Sequence, residues 1–168
     1  LRTAVLLHFR THDNPRTGAG APRLRDARPR KSRACGTANG RAPVEPIVDR
    51  MLRVMRKLNP EMSFDFENSS LPVIFAGEAQ DLEEILGNLL ENAAKWGRKR
   101  TIIGLRHEGA NFSLIVEDDG PGLDEHQIGE ALKRGRRLDE TKPGTGLGLS
   151  IVSDTVREYG GSIALGRS

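Results

Sequence analysis

The sequence has little of what would tie it to an oxidising compartment or to a membrane. Its 168 residues include a single cysteine, Cys35, so an internal disulfide is excluded and a reducing compartment is the simplest expectation. It also has no apolar run of the roughly 20 residues that a membrane-spanning helix needs. We therefore expect a soluble, cytoplasmic chain with one hydrophobic core.

The chain as a whole has no excess of acidic residues, whereas residues 42–168 do. The net charge is +3. Residues 1–41 carry ten Lys/Arg and two Asp, whereas residues 42–168 carry sixteen Lys/Arg and twenty-one Asp/Glu. The basic charge therefore belongs to the N-terminal segment, and the remainder gives no reason to expect a specific nucleic-acid partner.

The first 42 residues also lack a periodic apolar pattern, since arginine alternates there with proline, glycine and alanine. Such a stretch buries too little apolar surface to offset the entropy lost on ordering. We predict that residues 1–42 are disordered or are a remnant of a preceding dimerisation region. Residues 43–168 are predicted to form the folded domain.

The remaining sequence alternates helical and strand patterns. Between residues 120 and 146 it is rich in glycine and charge, and this stretch, called the lid below, is predicted to be a mobile cover. Helices are predicted from about Pro46 to Leu58 and over Ala79–Trp96 and Gly148–Tyr159, and strands over Met62–Glu67, Pro72–Phe75, Thr101–His107, Asn111–Glu117 and Ser162–Leu165.

Three short motifs follow one another: ENAAKW (91–96), DDGPG (118–122) and GTGLGL (144–149). On the predicted helix that carries the first motif, Asn88 and Asn92 are one helical turn apart and share a side with Lys95. An amide oxygen of Asn92 together with phosphate oxygens suits Mg²⁺, and Lys95 can neutralise phosphate charge. An isolated pair of asparagines at this spacing is usually only solvated, so this interpretation depends on the two motifs downstream.

The second and third motifs supply groups for a base and for phosphates. Asp118 ends a predicted strand, where its carboxylate can accept a hydrogen bond from the amine of adenine and would repel the carbonyl of guanine. Gly120 and Gly122 permit a tight turn and a close approach of the backbone. Gly144, Gly146 and Gly148 precede a helix whose N-terminus favours anions. No Gly-Lys-Ser/Thr follows, so this is not a P-loop.

With these motifs in this order, residues 43–165 resemble the catalytic, ATP-binding domain of bacterial sensor histidine kinases, in the GHKL superfamily shared with DNA gyrase, the Hsp90 chaperones and MutL. The lid most resembles that of kinases of the PhoQ type, although it has none of the aromatic residues usual there. The resemblance implies an α+β fold, a two-layer α/β sandwich (the Bergerat or GHKL fold) in which helices cover one face of a mixed sheet.

The resemblance also implies a role for each matching residue. Asn92 would be the Mg²⁺ ligand. Asn92 and Lys95 would be the catalytic residues. Asn88 and Lys95 would contact phosphate, Trp96 would pack near adenine, and Asp118 would read the base. The other implied ATP-binding residues are Gly120, Gly122, Arg137, Lys142, Gly144, Thr145, Gly146, Leu147 and Gly148.

The reaction implied is transfer of the γ-phosphoryl group of ATP to a histidine on a separate dimerisation domain of a homodimeric parent kinase, and then to the receiver domain of a response regulator. ATP-hydrolysing relatives carry a glutamate where this chain has Asn88, which cannot act as a general base. Hydrolysis is therefore expected to be poor.

Some expected parts are missing from the sequence. No long helical hairpin carries a phosphoacceptor, and His8 is a poor candidate because Pro15 and Pro22 forbid a long helix after it. One more strand is expected after Ser162–Leu165, and its absence would leave a sheet edge unpaired. The chain is therefore expected to be a fragment of a longer kinase anchored in the inner membrane through segments it lacks.

Three other functions remain open at this stage. The chain could bind ATP without catalysis, act as an ATP-gated switch, or be a serine kinase of the anti-sigma-factor type. Steady hydrolysis would favour the switch, whereas only an assay with partner proteins separates the two kinases.

Overall fold

The computed structural model describes residues 3–11, 40–68, 71–124, 127–128 and 148–167. Within these ranges, bounds can be given for three helices and seven strands. The helices are α1 (Val44–Leu58), α2 (Ala79–Trp96) and α3 (Gly148–Glu158). The strands are β1 (Thr3–Arg10), β2 (Ala42–Pro43), β3 (Ser63–Glu67), β4 (Ile74–Phe75), β5 (Arg100–Glu108), β6 (Asn111–Asp118) and β7 (Ser162–Arg167).

Five of these strands form a mixed sheet in the order β3-β5-β6-β1-β7. The pair β3–β5 is parallel and the other pairs are antiparallel, while β2 and β4 form a separate two-stranded sheet. The α+β sandwich expected from the sequence is confirmed, and the boundaries of the predicted helices and strands agree with the structure to within a few residues. Among the described residues, no helix is long and apolar enough to cross a membrane.

The helices cover one face of the sheet because alternate strand residues point toward them. Helix α2 packs against β5 and β6 and lies between α1 and α3. It buries a stripe at helical spacing, made of Leu82, Ile85, Leu86, Leu89, Leu90 and Ala93. The facing strand residues are also buried: Val5, Leu7, Phe9, Ile103, Leu105, Phe112, Leu114 and Val116.

The N-terminal strand β1 corrects the prediction of disorder for the first part of residues 1–42, whereas the alternative, a remnant of a preceding dimerisation region, stays a prediction. Residues Thr3–Arg10 pair with β6 on one side and β7 on the other, and the Phe9 ring stacks on Phe112 at a centroid distance of 5.2 Å. Proline and arginine dominate only the part of this segment that follows Phe9; the first residues alternate apolar side chains toward the core. Residues 12–39 lie outside the described part of the chain.

The same strand bears on the expected unpaired edge: it lies beside β7, which within the described sheet is paired on one side and forms an edge. Strand β6 is paired on both sides, because β1 lies between it and β7. His8 lies within β1, not on a helix, and its Nδ1 is 3.1 Å from the Ser113 hydroxyl oxygen. A strand residue bonded to its neighbour in the sheet lacks the helical setting expected of the phosphoacceptor.

A single truncation tests whether β1 belongs to the core. Leu7 is fully buried, so Leu7→Ala is expected to lower the free energy of unfolding by about 2–5 kcal/mol, because it leaves a cavity against the helices. Urea denaturation followed by circular dichroism measures this. Leu6→Ala, on the opposite face of the same strand, is the matched control and should cost clearly less. Equal losses in the two variants would contradict the packing of β1.

Candidate nucleotide-binding site

The predicted site residues on α2 lie on the side of the helix away from its buried stripe. Asn88 and Asn92 are partly exposed, and the Asn88 side-chain amide donates to the Glu84 carbonyl oxygen at 2.9 Å. At the end of the helix the Lys95 ammonium group lies 5.0 Å from the centroid of the Trp96 ring, a cation–π geometry. Burial of the stripe fixes the rotation of α2 about its axis. As a result Asn88, Asn92 and Lys95 lie on the partly exposed part of the helix.

The first residue of α3 lies against the two asparagines. A Cβ atom built on Gly148 would be 3.1 Å from Asn88 Oδ1 and 3.6 Å from Asn92 Nδ2. The structure thus brings together three residues that the sequence places in two separate motifs. The N-terminal end of α3 stands beside two amide side chains, which suits an anion accompanied by a cation.

Asp118 ends β6 on the helix-facing side of the sheet and is 8% exposed. Its Oδ1 accepts a hydrogen bond from the Gly120 backbone N–H at 2.9 Å. Burial raises the pKa of Asp118 above its ordinary value, a rise that the Gly120 N–H opposes and that the neighbouring Asp119 charge reinforces. A carboxylate can accept more than one hydrogen bond, so the buried Asp118 suits a ligand that donates one.

The turn after Asp118 packs directly on the end of α2. A Cβ atom on Gly120 would lie 2.5 Å from the Trp96 carbonyl oxygen, and one on Gly97 would lie 3.5 Å from Asp118 Cβ. Gly122 has φ 79°, a left-handed conformation that favours glycine. Two glycines in the motif are therefore required, one by close approach and one by backbone conformation.

Sequence reasoning missed Asp119, which connects the end of β6 to the segment that follows α2. Its Oδ1 accepts hydrogen bonds from the Arg98 N–H at 2.7 Å and the Lys99 N–H at 3.0 Å, and its own N–H donates to the Arg100 carbonyl oxygen at 3.2 Å. Partial burial alone would raise the pKa of Asp119, but the backbone donors around it hold that pKa below its usual range. The signal in the sequence was a second acidic residue immediately after the strand.

Thr101 was also missed, although the alternation of β5 puts it on the same face as Asp118. The two residues are partners in the β5–β6 ladder, and Thr3 of β1 is the partner of Asp118 on the other side. Thr101 is fully buried, and within the described ranges its hydroxyl has no hydrogen-bond partner. Buried hydroxyls are seldom left unpaired, so this position is suited to a polar ligand beside Asp118.

The site residues fit ATP and Mg²⁺ in their chemistry. Asp118 is a buried acceptor suited to a base. Gly148, rather than a larger residue, stands where α3 meets Asn88 and Asn92. Across the described segments no three His, Cys, Asp or Glu side chains cluster as a metal site. The expected Mg²⁺ ligand, the Asn92 amide oxygen acting together with oxygens of the bound molecule, stays a prediction.

Several predicted contacts cannot be compared with the structure. Most of the lid falls outside the described residues, and with it the phosphate-contact candidates Arg137 and Lys142 and the loop residues Gly144, Thr145, Gly146 and Leu147. Their roles stay predictions.

The close packing at Gly120 predicts a stability cost for any side chain there. Gly120→Ala would drive a methyl group into the Trp96 carbonyl, and we expect the free energy of unfolding to fall by about 1–3 kcal/mol. Urea denaturation gives the value. In the control Gly104→Ala the new methyl would meet only Ile115 Cβ at 3.7 Å, an ordinary contact. A Gly120→Ala variant as stable as this control would rule out the packing described here.

Known proteins resemble the chain in sequence. Residues 77–168 match the family described as histidine kinase-, DNA gyrase B-, and HSP90-like ATPase. The chain is 32% identical to the sensor protein PhoQ of Escherichia coli strain K12 over 127 residues, which are 75% of this chain and 26% of that protein. It is also 32% identical to the virulence sensor histidine kinase PhoQ of Salmonella typhimurium strain LT2 over 122 residues, 72% of this chain and 25% of that protein.

Solved structures share the fold. The mycobacterial sensor histidine kinase MprB superposes with a TM-score of 0.66 at 24% identity, covering 74% of this chain and 94% of that one. Full-length ShkA in complex with AMPPNP gives a TM-score of 0.61 at 23% identity, covering 79% and 31%.

These matches confirm the resemblance drawn from the three motifs. The chain spans about a quarter of the length of the curated relatives it matches. The shared region is the one that carries the α2 asparagines, Asp118 and the glycines around them. The chain therefore belongs to the family of histidine kinase-, DNA gyrase B-, and HSP90-like ATPases, and within it corresponds to the catalytic ATP-binding domain of sensor histidine kinases.

Proposed function

We propose that this chain binds Mg²⁺-ATP and transfers its γ-phosphoryl group to a histidine on a separate dimerisation domain. The observation that carries the proposal is the meeting of three elements, in which the asparagine side of α2 lies against Gly148 while the end of α2 lies against the Asp118–Gly120 turn. One end of this arrangement is suited to phosphates and the other to a base. That is the order of groups in a nucleoside triphosphate.

Base selection follows from Asp118. Its Oδ1 accepts from the Gly120 N–H, and its Oδ2 would accept a hydrogen bond from the exocyclic amine of adenine. Guanine presents a carbonyl at that position and would be repelled. The domain is therefore expected to prefer ATP over GTP.

The phosphates would lie between α3 and the polar side of α2. The amide oxygen of Asn92 would hold Mg²⁺, with Asn88 and Lys95 as phosphate contacts; the cation supplies neutralisation of phosphate charge when bound. Asn88 lacks the basicity needed to activate water, which favours transfer to another nucleophile over hydrolysis.

The nucleophile would be a neutral imidazole nitrogen of the partner domain. It forms an N–P bond with the γ-phosphorus while the bond from that phosphorus to the β,γ-bridging oxygen breaks and ADP leaves. The parent would be a homodimeric sensor kinase anchored in a membrane, and the receiver domain of a response regulator would accept the phosphoryl group next.

Asp118→Asn separates binding from stability. We expect ATP affinity to fall about 10- to 100-fold, because a charge-assisted hydrogen bond worth about 1.5–3 kcal/mol is lost. The raised pKa means that the folded state favours the protonated carboxyl, so this group stabilises below the ordinary carboxyl range and costs stability as pH rises through the raised value. The free energy of unfolding of Asp118→Asn at pH 7 should therefore equal or exceed that of the parent chain.

Calorimetry with Mg²⁺-ATP and urea denaturation at pH 7 measure the two quantities. Asp65→Asn is the matched control, since Asp65 bonds to Arg100 on the other face of the sheet. Unchanged ATP affinity in Asp118→Asn would exclude this carboxylate from the base site.

Phosphotransfer is tested with γ-labelled ATP and a supplied histidine-containing dimerisation domain. We expect acid-labile label on the partner, abolished by Asn92→Ala because the cation ligand is lost. Gln80→Ala, an exposed amide in the first turn of α2, is the control and should retain transfer. A chain that binds ATP but labels no histidine-containing partner would instead be a binding module without catalysis.

A further inference from the structure

We propose that Asp119 is a positioning residue that sets the adenine selectivity of the site, although it does not itself touch the nucleotide. This inference rests on the proposed function, because it concerns the base site that Asp118 defines there. Its basis is the set of hydrogen bonds that tie the end of β6 to the segment leaving α2.

The Asp119 carboxylate holds the connection between α2 and β5. One oxygen, Oδ1, accepts from both the Arg98 and Lys99 N–H groups at 2.7 and 3.0 Å, and Oδ2 is 3.1 Å from the same Lys99 nitrogen. The Asp119 N–H donates to the Arg100 carbonyl oxygen. One residue thus engages three consecutive residues of the connection.

These bonds lie between two contacts that shape the base site. On one side Gly97 caps α2, donating to the Ala93 carbonyl oxygen at 2.8 Å, and a Cβ atom built on it would be 3.5 Å from Asp118 Cβ. On the other side Gly120 approaches the Trp96 carbonyl oxygen closely enough to exclude a side chain. Moving the 98–99 segment away from Asp119 would therefore shift Asp118 and Gly120 relative to Trp96.

Loss of these bonds is expected to change the placement of the Asp118 turn more than the free energy of unfolding. Arg98 and Lys99 are exposed, so water can replace the carboxylate as an acceptor for their N–H groups. The neighbouring ion pair between Arg100 and Asp65 lies on the other face of the sheet, so it cannot hold the Asp118 turn in place. Precise placement of a polar group in a binding site depends on such supporting contacts.

The experiment compares ATP with inosine triphosphate, which carries a carbonyl where adenine carries its amine. Calorimetry with Mg²⁺ is run on the parent chain, Asp119→Ala, Asp119→Asn and the control Asp65→Ala. We expect Asp119→Ala to weaken ATP binding about 10-fold, the scale of one misplaced hydrogen bond, and to change inosine triphosphate binding far less. Asp119→Asn keeps the Oδ1 acceptor and should behave like the parent chain, as should Asp65→Ala.

Three results would overturn the inference: no effect of Asp119→Ala, an equal loss for both nucleotides, or an asparagine variant as weak as the alanine variant. An equal loss would mean general damage to the site, and a failed asparagine rescue would mean that charge matters and not the placement of the turn.

An amide NMR spectrum separates failure of this inference from failure of the proposed function. The Gly120 N–H resonance should shift in Asp119→Ala and stay close to its parent position in Asp119→Asn. If the parent chain binds neither nucleotide, the proposed function fails, and the Gly120 shift alone then decides whether Asp119 positions the turn. An unshifted Gly120 resonance in Asp119→Ala would overturn the inference whatever the binding result.

Discussion

The rotational setting of α2 is the constraint on which the rest of the site depends. The apolar stripe of this helix is buried against β5 and β6, and a helix that buries one face must present the opposite face elsewhere. The polar face includes Asn88 and Asn92. Hydrophobic burial is non-directional. Because it fixes the rotation of α2, it nevertheless orients the groups suited to a cation and to phosphates.

The sheet imposes a second constraint through its strand register. Because side chains alternate between faces, a shift of β6 by one residue would move Asp118 from the helix-facing side to the open side. The register that buries Phe112, Leu114 and Val116 is the one that puts Asp118 beside the end of α2. Core packing and base recognition are thus set by the same alternation, and neither can change without the other.

Much of this arrangement could be predicted from the sequence because it follows from local patterns. Helix α2 has both a clear apolar period and a glycine after its last residue, and its predicted bounds are those of the structure. Strand β1 could not be predicted in the same way, since its pairing with β6 joins residues more than a hundred positions apart. The role of Asp119 could not be predicted for a related reason. Its partners are backbone groups of residues 98–100, and no pattern of residue types reveals such partners.

The position of β1 in the sheet has a consequence for how the chain folds. Strand β7 pairs with β1 in the described sheet, so residues 162–167 gain their ladder partner only through residues 3–8. Contacts of such long sequence separation form late, because the closure entropy of the intervening chain is spent before the contact stabilises anything. Strand β6, whose residues 111–118 pair with β1, can provide a partner for β1 before β7 does. Pairing of β7 with β1 spans the longest sequence separation in the described sheet, so it is the contact that loop-closure entropy disfavours most.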